Sequence, residues 1–189
     1  MKKTILSLYL TIICLFAFVS SNAQFRQIDW GSGYTDIVNK HGEPDLFKED
    51  GYISYTTKLK NLDGIATFYL LEDKLYSGAY MIMEKHTNQN DYIDDYNMLK
   101  STLIKKYGEP VTDKTLWKND LFKDDYSDWG TAISLGHLVY GAQWLDEKNM
   151  IFCYLKGDNY KIELGIVYKS IELQDEVKES NEEENLDDF

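Results

Sequence analysis

The residues of this 189-residue chain with the most versatile chemistry are three histidines and two cysteines. None of His41, His86 and His137 has a second ligand at the short spacing of helical zinc motifs. His41 falls at the end of a helical pattern, where a cation is favourable in its own right. His137 and Cys153 could lie on nearby strands as a base and a thiol. Nothing in the sequence supplies the sharp turn or helix terminus that would activate that thiol. Cys153 instead alternates with Ile151 and Leu155, which reads as a small buried hydrophobe. There is no Gly-x-Ser-x-Gly elbow and no phosphate-cradling glycine loop. Two acidic groups, Asp91, Asp94, Asp95 and Asp120, Asp124, Asp125, Asp128, raise the possibility of calcium. Neither has the alternating acids and central glycine of a helix-loop-helix calcium site. The first group reads as helix-terminal charge and the second as a solvated loop, with a weak surface calcium site as the alternative. The sequence therefore predicts no catalytic residue, no metal ligand and no cofactor, and the chain is not expected to be an enzyme.

The aromatic residues remain. Fifteen tyrosines and four tryptophans are many for this length. Tyrosine offers a large contact area, a polar tip and little entropy to lose, which suits interaction surfaces; it is also a good strand former. Alternation puts Tyr76, Gly78 and Tyr80 on one side of their strand, and Phe152, Tyr154 and Lys156 on one side of another. Tyr76, Tyr80, Phe152 and Tyr154 are the candidate partner-binding residues, on a sheet face left free by the helices.

The elements that must position them are written twice. Asn39-Lys40-His41-Gly42-Glu43-Pro44 ends one segment, and Lys105-Lys106-Tyr107-Gly108-Glu109-Pro110 ends another 66 residues later. A helix pattern precedes each glycine and strand patterns follow each proline. In the first unit Tyr34, Ile37, Val38 and His41 recur at helical spacing, with Ser32 placed as the cap. Strand patterns follow at 52–57, 64–71 and 74–83, the last two joined at Glu72-Asp73. In the second, Tyr92, Tyr96, Leu99, Leu103 and Tyr107 share one helix face. Strand patterns follow at 114–118, 131–145 (bent near Gly136 or Gly141), 150–156 and 160–169. A polar loop is expected at 119–130 and a hairpin turn at Gly157-Asp158-Asn159. The predicted fold is α+β: two tandem units of helix plus antiparallel meander, 24–90 and 91–171, with helices packed on one face of the sheet and the other face exposed.

Both ends of the chain read differently. Lys2 and Lys3, the apolar run Ile5 to Val19 and the small residues Ser21-Asn22-Ala23 predict a signal peptide over 1–23, cleaved before Gln24. Cys14 sits in mid-run and is followed by Leu15-Phe16-Ala17-Phe18, so a lipoprotein is the lesser alternative. No later segment is apolar enough to span a bilayer. Cys153 would then be the single mature cysteine, without an internal disulfide partner. Residues 172–189 hold nine acids against Lys178 alone and are predicted to be a disordered tail. The net charge of −12, with Arg26 the only arginine, excludes the basic patches that bind nucleic acid.

Trp30, Gly31, Ser32, Ile37, Val38, Gly42 and Pro44, repeated in part as Gly108 and Pro110, carry a resemblance. From Phe25 to about Ser170 the chain resembles the tandem fold of β-lactamase-inhibitor-protein-like (BLIP-like) domains and their SmpA/OmlA-like relatives of bacterial envelopes. The resemblance implies a helix layer behind an antiparallel sheet whose concave face grips a partner protein. The chain departs from that family in lacking the disulfides of the secreted inhibitors and the anchor cysteine of the outer-membrane members. The expectation is a secreted or periplasmic protein-binding module. The alternative is a small-molecule or glycan-binding envelope protein with its cleft between the two units.

Overall fold

In the computed structural model, residues 24–49 and 51–187 are described. The signal peptide expected over 1–23 lies outside the described residues. The fold is α+β, one large antiparallel sheet with four helices.

A small hairpin, β1 (Gln24–Phe25) and β2 (Ile28–Asp29), leads into helix α1 (Tyr34–His41). Strands β3 (Phe47–Glu49), β4 (Tyr52–Leu59), β5 (Leu62–Leu71) and β6 (Lys74–Ile82) follow as a meander. Helix α2 (Asp91–Tyr107) precedes β7 (Thr112–Trp117), a 3-10 turn at Tyr126–Asp128 and helix α3 (Trp129–Ser134). The chain continues through β8 (Leu138–Leu145), β9 (Asn149–Asp158), β10 (Lys161–Ser170) and helix α4 (Gln174–Asp187). The sheet order is β3-β4-β5-β6-β10-β9-β8-β7. Sequence order thus runs inward from both edges and meets at β6 and β10, where Tyr80 lies opposite Ile166.

Helix α2 buries Ile93, Tyr96, Leu99 and Leu103, while Asp91 and Asp94 in its first turn and Lys105 and Lys106 in its last oppose its dipole. Helices α1 and α2 stop alike. Gly42 and Gly108 adopt φ of 84° and 81°, which only glycine takes freely, and their N–H groups donate to Val38 and Ile104 carbonyls at 2.8 Å. The carbonyl of each glycine is held from the sheet: Tyr55 hydroxyl donates to Gly42 at 2.9 Å and Trp144 indole N–H to Gly108 at 2.8 Å.

The core lies between the helices and one sheet face. Tyr96 of α2 packs on Tyr140 of β8, and His41 of α1 packs on Tyr55 and Phe68 of β4 and β5. Phe25 from the β1–β2 hairpin occupies the space above Gly78, where a β-carbon would meet its ring at 2.2 Å, and it touches Phe68, Tyr80 and Tyr168.

Four local expectations are corrected. Ser32 does not cap α1: Asp36 accepts the Gly33 N–H at 3.1 Å, and Asp73, from the β5–β6 turn, accepts that of Tyr34 at 2.8 Å. Residues 131–145 are not one strand, because 129–134 form α3, whose Ala132 and Ile133 are fully buried. Asn90 accepts the Gly130 N–H, where a β-carbon would strike the Gln89 backbone. The β9–β10 turn falls at Asn159 and Tyr160, both with positive φ, so Tyr160 leaves the strand and is 74% exposed. The acidic segment expected without order is helical over Gln174–Asp187. Its glutamates are good helix formers, Asp175 and Glu176 sit where the dipole favours acids, and Lys74 pairs with Glu176 at 2.9 Å.

Candidate functional site: the open face of the sheet

Register assigns each side chain to a face, since residues directly opposite in neighbouring strands point the same way. Ile166, Cys153, Ala142 and Tyr80 are connected by pairing and face the helices. Val167, Phe152, Gln143 and Ala79 form the neighbouring row and face away. Helices α1, α2 and α3 pack on the first face, through His41, Tyr96 and Ile133.

Phe152 and Tyr154 are on the open face, as expected. Tyr80 is not: its ring packs against Phe25 at 5.1 Å and Tyr168 at 6.2 Å on the helix side, with the Arg26 guanidinium 5.8 Å from its centre. Tyr76 is separated from Tyr80 by a β-bulge. The β5–β6 register shifts between Tyr69 and Leu70, so the alternation that would put Tyr76 with Tyr80 breaks there. Burial and the neighbouring Tyr69 raise the Tyr76 phenol above its usual pKa. Tyr69 lies opposite Tyr52 and Ser77 on the open face. Tyr154 is also raised, by burial first and then by Glu163, and it too senses Tyr69. Among the described side chains the open-face aromatics are therefore Tyr52, Tyr69, Tyr76, Phe152 and Tyr154; strand alternation also carried the signal for Tyr52 and Tyr69, which the candidate residues did not include.

Over β7, β8 and β9 this face is concave. An open groove of about 620 Å³ is lined by Leu116, Val139, Gly141, Phe152 and Tyr154, with Lys114 at its side. Gly141 leaves the floor open, since a β-carbon there would meet nothing within 4 Å. Gly165 does the reverse for Tyr154, whose ring lies over its bare backbone. Leu116 is 54% exposed. Glu163 is paired with Lys156 at 3.0 Å, and Asp113 turns to the helix side to pair with Lys100 at 3.0 Å. No carboxylate of the described residues pairs with Lys114.

The residues with reactive side chains are dispersed. Cys153 is fully buried on the helix side, and burial pushes its thiol up to about 12. Cys153 lies opposite Ala142, five residues along the chain from His137, about 17 Å at the ~3.4 Å rise of a strand. His137 instead stacks on Phe122 at 5.8 Å. His86 bonds Asp95 at 2.6 Å, His41 bonds the Arg26 carbonyl at 3.1 Å, and burial lowers the His41 pKa. In the acidic loop Asp120 pairs with Lys123 and Asp125 accepts from Ser127, so local partners use those oxygens. The described residues contain no group of three or more His, Cys, Asp or Glu that could hold a metal ion, and no described helix is long and apolar enough to cross a membrane.

No known protein family matches the chain, and no curated protein does. Among solved structures, the chain is similar to the crystal structure of a DUF4309 family protein, YjgB, from Bacillus subtilis. The identity is 11% and the TM-score 0.39, over 74% of this chain and 78% of that one. A likeness of that degree assigns neither family nor function.

Proposed function

We propose that this protein is an exported, non-enzymatic binding module that holds a partner protein against the open face of its sheet. One observation carries the reading: helices α1, α2 and α3 and the β1–β2 hairpin pack on one face, and the other presents a groove of about 620 Å³ with Phe152 and Tyr154 in its wall. Rigid aromatic rings beside an apolar concavity are what anchoring side chains of a partner fill. Export rests on the charged start, apolar run and small residues of 1–23.

The architecture we infer behind this face is a tandem one, similar to that of BLIP-like and SmpA/OmlA-like domains. Three features support it. Both halves run helix then four strands, both helices stop at a glycine of the same conformation, and both glycine carbonyls accept from an aromatic on the second strand that follows.

The test is photo-crosslinking with a reactive residue at Val139, in the groove, or at Asn97, exposed on α2, in the mature chain 24–189 mixed with native envelope and medium. A product formed from position 139, absent from 97 and lost on Phe152→Ala, is the expected result. Equal products from both positions would overturn the reading. A second reading, a small molecule or glycan, is favoured by the groove volume, which lies within the roughly 300–1,000 Å³ of ligand sites. The groove lies over the second half rather than between the halves, and thermal stabilisation by a sugar and lipid panel identifies this case.

A further inference from the structure

The sheet has a terminal strand beside the groove. Among the described residues strand β7 pairs with β8 only, and Asp113, Lys114, Thr115 and Leu116 are all exposed. Its hydrogen-bonding phase follows from its ends. Lys118 donates to the His137 carbonyl at 2.7 Å, and Lys118 and His137 continue the register of Trp117 with Leu138. In an antiparallel ladder only alternate residues exchange both bonds, so 112, 114 and 116 bond inward to β8. The N–H and C=O groups of Asp113, Thr115 and Trp117 then turn outward, along the edge. The side chains of Thr112, Lys114 and Leu116 belong to the open face and line the groove.

Resting on the reading of this face as a protein-binding surface, we propose that the partner enters as a ninth strand: an extended segment hydrogen-bonds to Asp113 and Thr115 and lays alternate side chains along the groove. Main-chain bonds supply affinity in this mode and the alternate side chains supply specificity. Charge selects the segment. Lys114 projects beside the groove with no carboxylate partner among the described residues, in a chain of net charge −12. A lone lysine on an edge strand discourages indiscriminate pairing and favours a strand with an acid directly opposite it. The segment predicted has an Asp or Glu facing Lys114 and apolar residues two positions to either side, one of them over Leu116.

The probe is a random nonapeptide display library selected on the mature chain, followed by backbone hydrogen exchange with each selected peptide. Acid-centred peptides with apolar residues at ±2 are expected, slowing exchange at Asp113 and Thr115 at least tenfold. N-methylation of alternate peptide residues should abolish binding in one phase and spare it in the other, which tests the mode without altering the protein. Thr115→Pro removes an outward N–H only and should release the peptides, and Lys114→Glu should weaken them at least tenfold. Selected peptides that protect neither amide and tolerate N-methylation in both phases would overturn strand addition. If such peptides are still released by Phe152→Ala, the open-face reading stands without the ninth strand; if they are not, both fall.

Discussion

The hydroxyl oxygen of Tyr154 lies 2.7 Å from the position of a β-carbon on Gly165, the residue directly opposite it on β10. A ring at the wall of the groove is thus seated on bare backbone at the centre of the sheet. Any side chain at 165 would lift it, and the Tyr80 carbonyl, 2.8 Å from the same point, blocks the alternative of shifting the strand. Gly165→Ala is expected to cost about 1–3 kcal/mol of stability, as overpacking does. Urea unfolding reads the loss; an unchanged midpoint would show that Tyr154 moves aside freely.

Two of the three tyrosines expected to act together, Tyr154 and Tyr80, should respond oppositely. Tyr154→Ala removes a ring from the open face and is expected to weaken partner capture while the unfolding midpoint stays near that of the parent. Tyr80→Ala removes a ring packed among Phe25, Tyr168 and Arg26 and is expected to cost on the order of 2–4 kcal/mol. Thermal unfolding of both variants, beside crosslinking yield, separates the roles.

Trp144, a residue only 4% exposed, ties β8 to the end of α2 through Gly108. Trp144→Phe keeps most of the apolar contact and deletes the indole donor. A loss of about 1 kcal/mol is expected, the usual worth of one such bond. Chemical denaturation with Tyr55→Phe in parallel gives the matching figure for Gly42.

The long-range cap of α1 is separable from its sequence-local partner. Asp73→Ala removes the acceptor for the Tyr34 N–H and is expected to destabilise the chain by about 1 kcal/mol. Ser32→Ala, which removes no cap, should do less in the same urea titration.

Alkaline stability has a defined window. Burial raises Cys153 from 9.0 to about 12 and Tyr140 from 10.0 to about 12. The unfolded chain therefore loses these protons first, so the contribution of these two groups is full below pH 9 and is lost as pH rises towards about 12. Unfolding free energy measured between pH 8 and 11 should decline, less steeply for Cys153→Ala. In native protein the thiol should resist alkylation at pH 8.5 and become reactive in urea.

Much of this molecule was legible in its sequence because local chemistry decided it. Spacing identified the buried face of α2, glycine chemistry identified both helix stops, and alternation put Cys153 inside with Ile151 and Leu155. These properties depend on periodicity and backbone conformation, which a chain carries with it. Tyr76 shows where that ends: the β-bulge beside it is created by pairing with β5, and alternation cannot see an extra residue.

Other features required distant segments to meet. Asp73 caps a helix 39 residues away, Asn90 fixes the start of α3, and the β1–β2 hairpin delivers Phe25 to Gly78. The sequence by itself determined which residues prefer helix, strand or turn, and that one face of each strand is apolar. Only the tertiary structure decided which strand became the edge, where the groove opens, and that Tyr80 packs against the core on the helix side. The physical reason is that register and strand order come from packing and long-range hydrogen bonds, and a single-residue change of phase turns a side chain from one face of a sheet to the other.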